Sequence, residues 1–130
     1  MRRSLIRAGV SASLFVLMLS ACATSGNYDD PGALAQLISS KSEPYALIDV
    51  RSAEEYAAGH IPSAINIPVA TLEKNLPTED RNALVIVYCQ SGIRSKAGKT
   101  VLDRLGFTRV VDFVSVDNWK GALVTGTSPR

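Results

Sequence analysis

The chain carries the stretch Val85-Ile-Val-Tyr-Cys-Gln-Ser-Gly-Ile-Arg-Ser95, which decides its fold. An unbroken apolar run ends at Cys89, and a short polar loop then leads into a segment with helical periodicity. Runs of this kind are typical of strands that are buried on both faces of a parallel sheet. We therefore predict that Cys89 lies at the carboxyl end of a buried strand, just before the amino end of a helix.

Strand and helix patterns alternate on both sides of this stretch. Apolar spacing, caps and breakers predict a short helix that begins at Asp30-Pro31, strands at 45–50, 61–67, 83–88 and 107–113, and helices at 52–58, 71–76 and 95–105. Near-continuous apolar strands favour an α/β domain with a parallel sheet covered by helices. The loops at the carboxyl ends of such strands form the site, and Cys89 lies in that position. The length of 130 residues suits one domain.

The amino terminus has the layout of a secretory signal peptide. Three arginines precede residues 8–19, an uncharged segment that is too short to be a comfortable permanent membrane span. The segment ends in Leu19-Ser-Ala-Cys22, which resembles the lipobox of bacterial lipoproteins, in which the cysteine is lipidated after cleavage. The resemblance implies a signal peptide at 1–21, lipidation of Cys22, a flexible tether at 22–29 and a domain at 30–130. An ordinary cleaved signal with a chance cysteine is the alternative.

A lipid anchor at this position would hold the domain at the periplasmic face of the cell envelope. Ala23 stands where similar lipoproteins of the inner membrane carry aspartate, which favours the outer membrane. Without the three arginines of the leader, 11 basic residues remain against 12 acidic ones, a net charge of −1. This balance does not suggest a nucleic-acid surface. We expect a monomer that binds small molecules and is attached to a membrane by its lipid anchor.

Cys89 has no thiol partner in the chain if Cys22 carries lipid. Exported proteins usually use cysteines in pairs, so an unpaired thiol is either buried and inert or kept for its reactivity. At a helix amino terminus the backbone N–H groups lack internal partners, and Gly92 lets the loop turn several of them inward. Together with Arg94, these groups would lower the pKa of Cys89 and hold a thiolate that solvent can reach.

Motifs spread over residues 30–120 resemble those of single-domain rhodaneses. In chain order they are Leu47-Ile-Asp-Val-Arg51, Glu54-Glu-Tyr56, Gly59-His-Ile-Pro-Ser-Ala-Ile-Asn-Ile-Pro68, Val87-Tyr-Cys-Gln-Ser-Gly-Ile-Arg-Ser95 and Leu105-Gly-Phe107. The resemblance implies a five-stranded parallel sheet flanked by helices. It also implies transfer of a sulfane sulfur from a donor such as thiosulfate, through a persulfide on Cys89, to a thiophilic acceptor such as cyanide or a thiol. No metal or organic cofactor is implied.

The resemblance also assigns roles by position. Cys89 is the nucleophile and sulfur carrier, and Arg94 shapes the loop and stabilises charge. The substrate-binding residues are the rest of the loop and its first neighbour, namely Gln90, Ser91, Gly92, Ile93 and Ser95. Asp49 and Arg51 match an acid–arginine pair that supports the structure near the pocket.

Two features depart from the rhodanese pattern. Gln90 follows the cysteine where many relatives carry a basic residue, which predicts poor affinity for thiosulfate. Residues 113–119 lack the pair of glycines that precedes the matching tryptophan in relatives, so the turn before Trp119 is expected to differ. Trp119 and Tyr88 are interpreted as packed aromatic residues.

Other interpretations of Cys89 compete with sulfur transfer. A phosphatase or arsenate reductase of the Cys-x5-Arg type also cradles a thiolate, but its loop is one residue longer than the six residues from Cys89 to Arg94. A noncatalytic binding module would keep the loop for its shape, and a buried thiol could be inert. A dyad with His60 is disfavoured, because Gly59-His-Ile-Pro62 has the pattern of a turn and a thiolate held by N–H groups needs no separate base.

Overall fold

A computed structural model describes residues 26–128, so the predicted signal peptide and Cys22 lie outside the described residues. The described chain forms, in order, α1 (Pro31–Ser40), β1 (Tyr45–Asp49), α2 (Ala53–Ala58), β2 (Ile65–Asn66), β3 (Leu84–Cys89), α3 (Ile93–Arg104) and β4 (Arg109–Ser115). Short 3₁₀ turns at Val69–Thr71 and Val116–Asn118 follow β2 and β4. Within residues 26–128, no helix has the length and apolar character that crossing a membrane requires.

The four strands form one parallel sheet in the order β2-β1-β3-β4. β1 and β3 pair in register up to Asp49 and Tyr88, so their carboxyl ends lie side by side. The α/β class and the parallel sheet are confirmed, but the sheet of the described region has four strands where five were expected. Its four strands already use the strongest apolar runs, and residues 26–30 ahead of α1 lie in a turn and an irregular segment instead of a further strand.

β3 is one of the two central strands of the sheet, and all six of its residues are buried, as predicted. Its side chains alternate between the two faces of the sheet. Leu84, Ile86 and Tyr88 pack in a core that includes residues of α1 and α2. Val85, Val87 and Cys89 pack in a second core, which includes Leu102 of α3. Cys89 therefore lies on the α3 face of the sheet, at the end of its most buried strand.

Local signals explain where the helices begin. In α1, Asp30 Oδ2 accepts a hydrogen bond from the N–H of Ala33 at 2.8 Å. The predicted capping box of α2 is present: Ser52 Oγ accepts from the Glu55 N–H at 3.2 Å, and the Glu55 carboxylate accepts from the Ser52 N–H at 3.0 Å. The capping box at the start of α2 thereby fixes the position of the Glu55 side chain.

Three predicted elements have different bounds in the structure. The strand expected at 61–67 is reduced to Ile65–Asn66, because a turn at residues 62–63 precedes it and Pro68 follows it. The helix expected at 71–76 is replaced by the 3₁₀ turn Val69–Thr71 and further turns, since a segment this short between two prolines cannot propagate a helix. The last strand begins and ends later than predicted, at Arg109–Ser115, and its final residues reach the loop after Cys89.

Candidate active site around Cys89

Cys89 ends β3, and its sulfur lies against the turn that begins α3. The Gly92 N–H donates a hydrogen bond to Cys89 Sγ at 3.0 Å. Gly92 has a φ of 91°, and a Cβ at this position would lie 2.8 Å from Cγ1 of Val114. Both the left-handed backbone and the lack of space require glycine here. The loop thus directs a backbone N–H at the sulfur.

Hydrogen bonds and burial have opposite effects on the pKa of Cys89. Burial of the thiol raises the pKa, whereas the backbone N–H and hydroxyl of Ser95 and the backbone N–H groups of Gly92 and Ser91 lower it. The net result is a pKa below the ordinary value of 9.0. The thiolate is favoured by its surroundings, which is the condition for a nucleophilic cysteine.

The hydroxyl of Ser95 has a choice of partners. Ser95 is fully buried, and its Oγ lies 3.1 Å from the carbonyl oxygen of Gly92 and 3.2 Å from that of Val114. A hydroxyl has one hydrogen to donate. The hydroxyl of Ser95 therefore stabilises the thiolate of Cys89 only when its hydrogen turns away from the two carbonyls and toward the sulfur, whereas the backbone N–H of Ser95 does not depend on that choice.

The sulfur is covered in this structure, contrary to the expectation that solvent reaches it. Cys89 exposes none of its surface. Its side chain packs in the core on the α3 face, and Sγ lies 3.6 Å from the carbonyl oxygen of Val114, to which a protonated thiol can donate. The sequence could not reveal this cover, because Val114 lies 25 residues away in the chain.

Val114 has a backbone conformation that is unusual for its residue type. Its φ is 72°, in the left-handed region, where a β-branched residue is strained. The pairing of β3 with β4 shifts by one residue here, so that Val87 is opposite Asp112 while Tyr88 is opposite Val114. Asp112 Oδ1 stabilises this bulge by accepting from the Val114 N–H at 2.9 Å. Residues 113–119, where the turn before Trp119 was expected to differ from the rhodanese pattern, thus begin with a bulge of β4 that brings Val114 over the loop.

Arg94 forms a two-pronged ion pair with Glu55. Its Nη1 and Nη2 atoms lie 2.7 and 2.9 Å from the two carboxylate oxygens, and both side chains are 35% exposed. The Arg94 guanidinium, aided by the N–H of Ser52, lowers the pKa of Glu55 from 4.5 to about 2. The pair ties the loop after β3 to the first turn of α2. Sequence analysis identified Glu55 only as part of a capping box, and its link to Arg94 spans 39 residues.

A second arginine–carboxylate pair lies at the end of β1. Arg51 donates to Asp49 through Nε at 3.0 Å and through Nη2 at 2.6 Å. Nη2 also donates to the carbonyl oxygen of Gly59 at 2.7 Å, at the end of α2. Both side chains of the pair are buried, with exposed fractions of 5% and 0%. The pair therefore joins β1 to the end of α2, and the supporting role expected of it stays a prediction.

Gln90 links the cysteine loop to the segment after β4. Its Nε2 donates to Oδ2 of Asp117 at 2.9 Å, and its Oε1 lies at the limit of hydrogen bonding, 3.5 Å from Nη1 of Arg51. Ser115 Oγ donates to the carbonyl oxygen of Gln90. The position that follows Cys89 is thus occupied by a neutral side chain that holds a carboxylate, Asp117, beside the loop.

A comparison with known proteins assigns this arrangement to a family. The model of the rhodanese-like domain matches residues 30–121. The chain belongs to the rhodanese-like domain family. The match covers every strand and helix described above, together with the loop from Cys89 to Arg94.

Similar proteins within this family include enzymes of sulfur transfer. Thiosulfate sulfurtransferase PspE of Escherichia coli (strain K12) is 40% identical over 65 residues, which are 48% of this chain and 62% of PspE. A solved structure of a rhodanese with anions from E. coli is 32% identical, with a TM-score of 0.56, over 64% of this chain and 100% of that chain. The human single-domain sulfurtransferase TSTD1 is 30% identical, with a TM-score of 0.62, over 70% of this chain and 94% of that chain.

The chain spans only part of some relatives. It matches 43% of the length of YrkF from Bacillus subtilis (strain 168) and 62% of the length of PspE. The similarity therefore establishes a rhodanese-like domain related to sulfurtransferases.

His60 of this rhodanese-like domain packs away from the sulfur. Its ring stacks on that of Tyr56, with centroids 3.7 Å apart, and its Nδ1 lies 2.8 Å from the carbonyl oxygen of Tyr56. Tyr56 belongs to the core on the face opposite Cys89, so the two side chains do not form a dyad. Trp119 is partly buried against the same core as Tyr56 and donates from Nε1 to the carbonyl oxygen of Ala122 at 3.2 Å.

Tyr88 also lies on the face opposite Cys89 and is fully buried. Its hydroxyl accepts a hydrogen bond from the N–H of Ile61 at 3.1 Å, and burial raises the pKa of its phenol. This supports the interpretation of Tyr88 as a packed aromatic residue. In the part of the chain that the structure describes, no group of three or more His, Cys, Asp or Glu side chains is placed to hold a metal ion.

Proposed function

We propose that this chain is a sulfurtransferase that carries a sulfane sulfur as a persulfide on Cys89. The observation that supports this most directly is the Gly92 N–H, 3.0 Å from a sulfur whose pKa lies below its ordinary value. Groups that stabilise a thiolate also stabilise an anionic persulfide, because both place negative charge on sulfur at the same turn. The relatives named as sulfurtransferases support the same chemistry.

The proposed cycle has two displacements. In the first, the Cys89 thiolate attacks the outer sulfur of a donor such as thiosulfate, a new S–S bond forms, and sulfite leaves with the electron pair of the broken S–S bond. In the second, cyanide or a thiolate attacks the outer sulfur of the persulfide and Cys89 leaves as a thiolate. Each step breaks one bond to sulfur and forms another, and the covalent intermediate predicts ping-pong kinetics.

The cover over Cys89 must move before either displacement. An attacking or leaving group needs to lie in line with the S–S bond, whereas the residue exposes none of its surface in the resting structure. Within this cover, Val114 has a strained backbone and is partly exposed, with 42% of its surface accessible to solvent. We propose that the segment around Val114 shifts when substrate binds.

Mass spectrometry of the full chain after treatment with thiosulfate tests the proposal. The expected result is the addition of one sulfur atom to the peptide that contains Cys89, with removal by cyanide and with no addition in Cys89→Ser. If neither thiosulfate nor an organic persulfide adds sulfur to Cys89, the sulfurtransferase function is wrong. In that case a noncatalytic binding module, which would retain the loop for its shape, is the better account of this domain.

We also propose that the domain is anchored by lipid at Cys22 in the cell envelope, on the periplasmic face and at the outer membrane. The motif Leu19-Ser-Ala-Cys22 and the residue Ala23 support this placement. Expression of the full chain in a two-membrane bacterium with a labelled fatty acid should label the protein and place it in the membrane fraction. Cys22→Ser should lose the label, while Cys89→Ser should keep it. Equal labelling of the Cys22→Ser chain would contradict the anchor.

A further inference from the structure

The two arginines next to the cysteine loop are already paired. Arg94 is held by both oxygens of Glu55, and Arg51 is held by Asp49 in a buried pair. Asp117 remains as a carboxylate beside the loop, exposed and bonded to the neutral amide of Gln90. Together these five side chains carry two positive and three negative charges. A doubly charged anion that approaches Cys89 therefore meets no unpaired arginine at the loop, and the carboxylate of Asp117 repels it.

Apolar side chains complete the surroundings of the loop. Ile93, in the loop itself, is 78% exposed, and Val114, which touches Gly92, is 42% exposed. Single exposed apolar residues are common on protein surfaces, so what matters here is the position of these two beside the cysteine loop. Exposed apolar groups next to the covered sulfur offer burial to an organic substituent, which an inorganic anion does not carry.

On the basis of the function proposed above, we infer that the sulfur donor is organic and carries at most one negative charge. This class of donors comprises organic persulfides, R–S–S⁻, and thiosulfonates, R–SO₂–S⁻. Their apolar R group would pack against Ile93 and Val114. The doubly charged inorganic donor, thiosulfate, is disfavoured by Asp117 and by the lack of an unpaired arginine at the loop.

The loading step balances for both donor types. With R–SO₂–S⁻, the Cys89 thiolate attacks the terminal sulfur, the new S–S bond forms as the old one breaks, and the sulfinate R–SO₂⁻ leaves with the electron pair. With R–S–SH, the leaving group is the thiolate R–S⁻. No oxidant or reductant is consumed, because the transferred sulfur passes from one sulfur partner to another.

Methanethiosulfonate and thiosulfate form a matched pair of probes. They differ in that a methyl group replaces one charged oxygen: the sulfur under attack is the same, the negative charge is smaller by one, and the leaving group is methanesulfinate instead of sulfite. The full chain should form thiocyanate from cyanide with a kcat/KM that is higher for methanethiosulfonate by about fivefold, the upper range for one exposed charge interaction. Added salt should raise the thiosulfate value more than the methanethiosulfonate value, because it screens the repulsion.

The variant Asp117→Asn tests the assigned residue. It should lower the ratio of kcat/KM for methanethiosulfonate to kcat/KM for thiosulfate by up to about fivefold, mainly by raising the value for thiosulfate. The control is Glu79→Gln, which removes the same charge from an exposed site before the amino end of β3, at the opposite edge of the sheet, and should leave the ratio unchanged. Lys96→Gln removes an exposed positive charge from the first turn of α3 and should also leave the ratio unchanged.

The outcomes separate this inference from the function on which it rests. If neither donor adds sulfur to Cys89, the sulfurtransferase function fails. If thiosulfate loads Cys89 as well as methanethiosulfonate does, or if Asp117→Asn leaves the ratio unchanged, only the inference about the donor is overturned. A selective loss of thiosulfate activity in Lys96→Gln would also overturn it, since that lysine would then recruit the dianion.

Discussion

Two arginine–carboxylate pairs flank the cysteine loop, and they have nearly the same geometry in different surroundings. Arg51 and Asp49 approach to 2.6 Å with exposed fractions of 5% and 0%, whereas Arg94 and Glu55 approach to 2.7 Å with 35% each. Solvent screens the second pair but not the first. The short distance alone therefore does not reveal what each pair contributes, and burial decides it.

The two pairs consequently have different parts in the molecule. Removing one member of a buried pair leaves an uncompensated charge in the core, so a substitution that breaks the pair of Arg51 and Asp49 should lower stability strongly. The pair of Arg94 and Glu55 contributes little to the free energy of unfolding but ties the cysteine loop to α2. Substitutions in the two pairs should thus separate stability from sulfur loading.

The largest effect is expected from Arg51→Met. It should lower the free energy of unfolding by about 3–5 kcal/mol, because Asp49 is left buried without its partner. Urea denaturation measures this value. The double variant Asp49→Leu with Arg51→Met should recover much of the loss, since an apolar pair leaves no buried charge. A loss below about 1 kcal/mol in Arg51→Met, the scale of exposed pairs, would remove the distinction between the two pairs.

The next effect is expected on catalysis. Arg94→Gln should lower the free energy of unfolding by no more than about 1 kcal/mol, yet slow sulfur loading of Cys89 by about tenfold or more, because the loop loses its link to α2. Glu55→Gln should give the same slowing, since glutamine keeps the capping box but loses the ion pair. Single-turnover loading followed by mass spectrometry measures the rate.

A surface pair elsewhere on α3 provides the control for this prediction. Lys99 and Asp103 form an ion pair at 2.8 Å with exposed fractions of 38% and 47%. Lys99→Gln should leave the loading rate unchanged. Equal slowing in Lys99→Gln and Arg94→Gln would show that any lost surface charge has this effect, and the positioning role of Arg94 would be wrong.

A smaller effect is expected for Val114→Gly. Release of left-handed strain, about 1–2 kcal/mol, should offset the lost packing of a partly exposed side chain, so stability should change by no more than about 1 kcal/mol. Removal of the isopropyl group should also speed alkylation of Cys89 by iodoacetamide. Val114→Ala keeps a Cβ and the strain, and should lose stability instead. Unchanged alkylation in the glycine variant would mean that Val114 does not restrict access.

The smallest effect is the pH dependence contributed by Glu55. Its pKa is lowered from 4.5 to about 2, so its stabilising contribution is complete above pH 4.5 and is lost as the pH falls toward 2. Because the pair is partly exposed, the contribution should remain below about 1 kcal/mol. Unfolding curves of the wild type and Arg94→Gln should differ at neutral pH and converge in this acidic window. A constant difference across it would contradict the ion pair.

Local patterns were enough to predict much of the fold. The apolar run that ends at Cys89 predicted the buried central strand, and Ser52 and Glu55 predicted the cap of α2, since each feature depends on residues that are close in the chain. The sequence predicted a longer second strand than the two residues of β2, and it predicted a helix at 71–76 that the structure replaces with turns. Prolines near both segments favour turns, and hydrophobic periodicity does not reveal the geometry of turns.

The sequence predicted the local turn at Cys89 but not the contacts that surround it. The loop from Cys89 to Gly92 is local, so a backbone N–H directed at the sulfur could be anticipated from a glycine before a helix. The link between Arg94 and Glu55, and the carbonyl of Val114 over the sulfur, join segments 39 and 25 residues apart. They depend on strand register and on a one-residue bulge in β4, which no local pattern specifies.

The rate of alkylation of Cys89 as a function of pH tests the central claim most directly. Peptide-resolved mass spectrometry of the full chain separates Cys89 from Cys22, and Val114→Gly provides a second chain if the wild-type sulfur reacts too slowly to follow. We predict that the reactive thiolate forms with a midpoint below 9.0, the ordinary pKa of a thiol, and that reaction persists toward neutral pH. A midpoint at or above 9.0 in both chains would contradict a thiolate stabilised by the loop.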